Sequence, residues 1–179
     1  HKMAKLLRSS LTWNRDRIRV EEELEFIDCF LEIQKYRFGD RLTYRLDVDP
    51  DARKVIIPKM VFLPFVENAS IHGIEPMKHG GEIDIAIRLE DGFLEFSIRD
   101  NGAGMPQEQV ERIYGYLNNE SEDLGERIGV QNVIYRLRMV YGDRIRLFVD
   151  SAPGRGTFIR IGIPVRDGSS GPAELQHGI

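Results

Sequence analysis

Glu82-Ile83-Asp84-Ile85-Ala86-Ile87-Arg88-Leu89-Glu90-Asp91-Gly92-Phe93-Leu94-Glu95-Phe96-Ser97-Ile98-Arg99-Asp100 is the stretch that decides the fold. Ile83, Ile85, Ile87 and Leu89 alternate with Glu82, Asp84, Ala86 and Arg88, and Leu94, Phe96 and Ile98 alternate on the far side of Asp91-Gly92. Successive side chains of a strand point to opposite faces, so this spacing gives two strands with one apolar face each. Asp-Gly accepts the positive φ that a two-residue turn requires, which makes the pair a hairpin. A sheet with one apolar face needs a second layer to cover it.

Helical spacing on both sides of the hairpin supplies that layer. Val20, Leu24, Ile27 and Leu31 recur at helical intervals, with Gly39 as the stop. Residues 41–48 alternate as a strand does, and Asp49-Pro50-Asp51 is a turn. Residues 58–72 read as a helix made irregular by Pro64 and ended by Gly73. Two more helices are expected over 106–117 and 129–141, the second with Val130, Val133, Ile134, Leu137 and Val140 on one face. Strands follow over 144–150 and 157–164. Residues 3–12 form a short helical piece, 118–126 a polar acidic loop, and 167–179 a flexible Gly- and Ser-rich tail. The expected fold is α/β, a two-layer sandwich whose mixed, mostly antiparallel sheet is covered on one face by helices.

Composition removes several function classes. With 179 residues the chain holds one domain and little more, since domains commonly run about 100–150 residues. No apolar run approaches the roughly 20 residues that span a bilayer, and His1-Lys2-Met3-Ala4 does not read as a signal peptide. A net charge of −4 leaves no basic footprint for nucleic acid. The lone Cys29 cannot close an internal disulfide. Neither a P-loop nor a dinucleotide-binding glycine motif is present, and no His/Cys spacing suggests zinc. A reducing, cytoplasmic setting is expected.

Four short stretches carry the chemistry. In Asp100-Asn101-Gly102-Ala103-Gly104 a carboxylate ends a strand, and the glycines let backbone approach a flat ligand. Glu67 and Asn68 interrupt an apolar run, and burying such groups without partners costs roughly 1–3 kcal/mol each. Magnesium takes hard oxygen ligands and keeps several waters, which an amide oxygen such as that of Asn68 suits. Arg127-Ile128-Gly129-Val130-Gln131-Asn132 opens a helix, whose free N–H groups and dipole favour an anion. Pro153-Gly154-Arg155-Gly156-Thr157-Phe158 opens the last strand. Read singly, each stretch also fits an ordinary turn, a capped helix, or a helix turning its polar side to solvent.

Taken in order, the four resemble the ATP-binding boxes of the superfamily of gyrase, the heat-shock chaperone ATPases, sensor histidine kinases and MutL. Within it they are most similar to the catalytic domain of LytS/YesM-type sensor histidine kinases, over residues 6–164. The resemblance implies a Bergerat-type sandwich binding ATP and Mg2+. Asp100 would receive the adenine amino group, with Gly102, Gly104, Gly154 and Gly156 making room and the Thr157 hydroxyl supporting Asp100 through a water. Asn68 would coordinate magnesium and Glu67 would act on the nucleophile as the catalytic residue. Gly129, Val130 and Asn132 would belong to the hinge and phosphate end, with residues 118–126 as the lid. Where many relatives carry Lys or Arg three residues after the Asn, this chain has Ile71, followed by His72.

A kinase of that type transfers phosphoryl to a histidine in a stretch like His-Phe-Leu-Phe-Asn, and none of His1, His72, His79 and His177 has that context. The resemblance therefore implies that residues 1–19 are the end of the second dimerisation helix and a linker, 20–166 the ATP-binding catalytic domain, and 167–179 the tail. The expected partners are the dimerisation and phosphoacceptor helices of the same kinase, as a homodimer, and a response regulator. The expected location is the cytoplasmic side of a membrane-anchored protein. Two rivals remain, a stand-alone ATPase of the same superfamily and a degenerate nucleotide-binding scaffold.

Overall fold

The computed structural model describes residues 16–78, 80–118 and 129–165. The expected helix over 3–12, all of the expected 118–126 lid but residue 118, and the tail 167–179 lie outside the described residues, as do Arg127, Ile128 and His79.

A five-stranded sheet has the order β2 (Leu42–Val48), β4 (Gly81–Glu90), β5 (Phe93–Asp100), β7 (Thr157–Pro164) and β6 (Arg146–Ser151). Only β2 and β4 run parallel; every other neighbouring pair is antiparallel. The hairpin closes as its alternation requires, with Ile85 opposite Ile98 and Ile87 opposite Phe96. A separate two-stranded ribbon joins β1 (Arg17–Arg19) to β3 (Ile56–Pro58).

The α-helices among the described residues are α1 (Val20–Phe38), α2 (Leu63–Glu67), α3 (Gln107–Asn118) and α4 (Val130–Tyr141). One face of the sheet is buried, with Ile83, Ile85, Ile87, Leu94, Phe96, Ile98, Ile159 and Ile161 all within the core. The rings of Phe62 and Phe96 stack at 4.4 Å, and Phe65 tilts against Phe96 at 5.9 Å. These contacts seat α2 directly on β5. The opposite face carries Arg45, Asp47, Arg99 and Arg160 in solvent. The two-layer sandwich is thus as expected, with helices on one face.

The helix expected over 58–72 is placed differently. Pro58 ends β3, and helical structure begins only at Leu63. Pro64 is in its first turn, where a missing N–H breaks no bond, so no kink arises there. Val61 and Phe62 are apolar because they pack in the core as loop residues. Beyond Glu67 the helix widens into a π-helical stretch, Asn68–Ile74, which runs through Gly73 rather than stopping at it. The strand expected from 144 starts at Arg146, after a short 3₁₀ turn, Gly142–Arg144.

Candidate ATP site

Three inward-facing stripes of the sheet end in polar residues at one end of the sheet. Leu94, Phe96 and Ile98 lead to Asp100; Ile163, Ile161 and Ile159 lead to Thr157; Leu147 and Val149 lead to Ser151. The register pairs Asp100 with Thr157 and Thr157 with Ser151. Period-two alternation turns all three toward the helices, giving the core a polar margin there.

Asp100 is only 6 % exposed. Its Oδ1 accepts the Gly102 N–H at 2.8 Å. Burial pushes its carboxyl up to about 6, although the backbone N–H groups of Gly102 and Thr157 pull the other way. A buried carboxylate held by neutral backbone donors is suited to take a further neutral N–H donor. Ser151 Oγ lies 2.9 Å from Thr157 Oγ1 and 3.0 Å from the Gly156 carbonyl, to which it donates, and it accepts the Met105 N–H at 2.8 Å. A small recess of about 80 Å³ borders Asp100, Ser151, Arg155 and Thr157, room for ordered water rather than a purine.

Two glycines set this geometry. A Cβ on Gly102 would stand 2.4 Å from the Gly73 carbonyl, so the loop after β5 closes on the π-helical stretch only without a side chain. The Ala103 N–H donates to the Gly73 carbonyl at 2.9 Å, locking the contact. Gly156 has φ +74°, and a Cβ there would lie 2.1 Å from the Asp100 carbonyl oxygen. Gly104 and Gly154 complete the turn region, where the Gly154 N–H donates to the Ala103 carbonyl at 2.7 Å.

The second part of the site is a cleft of about 430 Å³ between the α2/π-helical segment, α3 and the start of α4. Glu67 and Asn68 line it together with Ile71, His72, Gly129 and Val130. Glu67 is half-buried, and desolvation raises its carboxyl above the ordinary range. The cleft does not reach Asp100; Met105, five residues on, is its nearest contribution from that box. Asn132 is exposed and off the cleft wall, where Gln131 stands instead.

Sequence reasoning missed several wall residues. Gln109, Arg112 and Ile113 of α3 face the cleft. Arg112 pairs with Glu108 on its own helix and brings a cation to the wall that Ile71 leaves uncharged. Ser151 was open to discovery, because continuing the Leu147, Val149 alternation by one step reaches it.

This fold and this site define an ATP-binding domain, and the chain belongs to the family described as histidine kinase-, DNA gyrase B-, and HSP90-like ATPase, whose family model matches residues 54–167. A further model, described as histidine kinase, matches residues 1–42. Sensor histidine kinase YesM of Bacillus subtilis is 30 % identical over 162 residues, covering 90 % of this chain and 26 % of that protein. Sensor protein kinase HptS of Staphylococcus aureus is 31 % identical over 169 residues, covering 93 % and 32 % respectively. The chain therefore spans about a third or less of the length of these relatives. Among solved structures, a mycobacterial sensor histidine kinase, MprB, superposes with a TM-score of 0.56 at 22 % identity, over 84 % of this chain and 97 % of that one. The nucleotide-free catalytic domain of histidine kinase ThkA gives 0.58 at 16 % identity, over 83 % and 96 %. These two likenesses establish the shared fold. Among the described residues, no helix is long and apolar enough to cross a membrane.

Proposed function

We propose that this chain is the ATP-binding catalytic part of a two-component sensor histidine kinase, moving the ATP γ-phosphoryl to a histidine outside residues 1–179. The observation that carries the reading is Asp100, a carboxylate buried at the end of an apolar stripe, with its pKa raised by desolvation. Such a group is costly in an ordinary core and has a purpose if it receives the adenine amino group. Gly102 and Gly156 hold it in place, and Thr157 with Ser151 supports it from the adjoining strands.

Asn68 and Glu67 form the phosphate end. Among the described residues no three His, Cys, Asp or Glu side chains cluster to hold a metal unaided. A cation at Asn68 would therefore take most of its ligands from phosphate and water, the preference of Mg2+, so the residues present fit that ion. When bound, Mg2+ would neutralise phosphate charge during transfer. Glu67, kept basic by desolvation, would accept the N–H of the incoming imidazole and leave its other nitrogen nucleophilic. The N-terminus of α4 at Gly129 and Val130 offers N–H groups to phosphate, and Arg112 a charge. In this reading residues 20–166 are the catalytic domain, the preceding residues lead to dimerising helices of the same kinase, and the domain works on the cytoplasmic side with a response regulator as recipient.

Calorimetry with ATP and ADP, with and without Mg2+, tests the nucleotide site. Micromolar binding strengthened by Mg2+ and weakened about 10–100-fold in Asp100→Asn is expected. No binding at millimolar nucleotide would leave only a scaffold. Transfer of labelled γ-phosphate to an added acceptor-helix polypeptide from the longer protein tests the kinase reading, and hydrolysis without transfer would favour a stand-alone ATPase.

A further inference from the structure

Glu23, in the first turn of α1, is fully buried, yet it takes no part in the site described above. Its Oε1 accepts the N–H of Phe62 at 2.5 Å and that of Leu63 at 3.2 Å. These are the free donors at the start of α2, the helix that continues through Glu67 and Asn68. Among the described residues, Oε2 is buried without a protein partner. Burial lifts the carboxyl to about 7, against the pull of the Val61, Phe62 and Leu63 N–H groups and the charge of Arg136 on α4. Arg136 in turn donates to the Lys59 carbonyl at 2.6 Å, in the loop that leads to α2.

The capping is unusual in its reach. Phe62, the residue at the cap position of α2, has no side-chain oxygen, so the acceptor comes from 39 residues upstream. It also comes from the other matched module, since Glu23 lies within residues 1–42 and α2 within 54–167. The same junction is reinforced by the β1–β3 ribbon and by the Val20 N–H donating to the Val55 carbonyl at 2.9 Å. The Glu67–Asn68 turn is thus held in place from the N-terminal segment, whereas Asp100 is held by the sheet.

We propose that Glu23 is a positioning residue, which caps the helix bearing Glu67 and Asn68 and so aligns the metal–phosphate end of the ATP site with the chain entering from the N-terminal side. This rests on the reading of Asn68 as the Mg2+–phosphate residue. It assigns Glu23 no contact with nucleotide. A position held only for general stability would weaken both ends of the site alike; Glu23 should affect one.

Calorimetry on the chain with adenosine, with Mg-free ATP and with MgATP separates the two ends. Glu23→Ala is expected to leave adenosine affinity within about twofold while weakening MgATP about tenfold, the scale of a lost helix cap. Glu23→Gln keeps an acceptor oxygen at the cap and is expected to recover most of the MgATP affinity. Parallel weakening of adenosine and MgATP, or no change in either with the protein folded, would overturn the assignment. If the unaltered chain binds ATP equally with and without Mg2+, the reading of Asn68 itself fails, and this inference with it. Should Glu23→Ala not fold, Glu23→Asp decides, because its shorter side chain draws the acceptor back from the Phe62 and Leu63 N–H groups: a loss confined to MgATP supports the proposal, and a parallel loss for both ligands, or no loss in either, overturns it.

Discussion

The two ends of the site are built on different principles. At the proposed adenine end, Asp100, Thr157 and Ser151 sit on three adjacent strands, Asp100 bonded to the Gly102 N–H and Ser151 to Thr157, with glycines removing whatever would keep backbones apart. At the proposed phosphate end, Glu67 and Asn68 occupy the junction of an α-helix and a π-helical stretch, facing a cleft open to solvent. A π-helical turn gives up regular bonding and is often found where function needs it. Selecting a base asks for a fixed, dry partner. Phosphoryl transfer asks for side chains that can meet a metal, a nucleotide and an incoming acceptor.

On that division Glu67 governs the rate of transfer, whereas Asp100 governs affinity for the base. The largest effect is expected for Glu67→Gln. Losing a general base should lower transfer about 10²–10⁴-fold, measured with labelled ATP and an acceptor polypeptide. Nucleotide affinity should hold, and stability at neutral pH should not fall, because the change removes a desolvated carboxylate. A loss of binding in step with rate would erase the distinction between the ends.

Next comes Gly156→Ala, which attacks the rigidity of the adenine end. Its Cβ would meet the Asp100 carbonyl oxygen at 2.1 Å, in a conformation with φ +74°. The left-handed backbone and the overpacking together should cost about 3 kcal/mol of stability. Chemical denaturation reads this directly. A loss under 1 kcal/mol would show that the strand ends give way easily.

These effects also show which parts of the molecule could be read without coordinates. The hairpin was legible because its strands bury one face each, so hydrophobic identity reports orientation directly. The same rule carries Asp100 and Thr157 to the helix side, as the next members of stripes that begin at Leu94 and Ile163. Residues 58–62 were misread because Val61 and Phe62 are buried in a loop, and burial alone gives no period. Glu23 was legible only in part, since it stands three residues after Val20 and four before Ile27, on the apolar face of its helix. Its role was not legible, because the helix start that it caps lies 39 residues away. Asn132 and Gln131 show the same limit, since a helix start fixes which residues are near the cleft but not which one faces it.

Asp100→Asn sharpens the comparison from the other side. It keeps an oxygen that can accept the Gly102 N–H but loses the charge that would strengthen a bond to adenine. Affinity for ADP should fall about 10–100-fold, the worth of a charged hydrogen bond. Folding should resist denaturant at least as well at pH 8, because the buried charge is gone. Loss of function with no loss of stability is the mark of a residue kept for its ligand.

The smallest effect tests the same carboxylate by pH. Its folded pKa is raised from 3.8 to about 6, so the folded protein holds a proton that the unfolded chain releases between those values. Stability from this group is therefore present below about 4 and lost as pH rises toward 6, and Glu23 adds a loss of the same sign between 4.5 and about 7. Nucleotide affinity should run the other way, because only the ionised carboxylate has both oxygens free to accept. Between pH 7.5 and 5.5 the ionised fraction at a pKa of about 6 falls about fourfold, and ADP affinity should fall with it. Asp100→Asn should flatten that profile, whereas Glu67→Gln should leave it intact, because its carboxylate serves the acceptor and not the base. A profile unchanged in Asp100→Asn would place the titrating group elsewhere and detach the adenine end from Asp100.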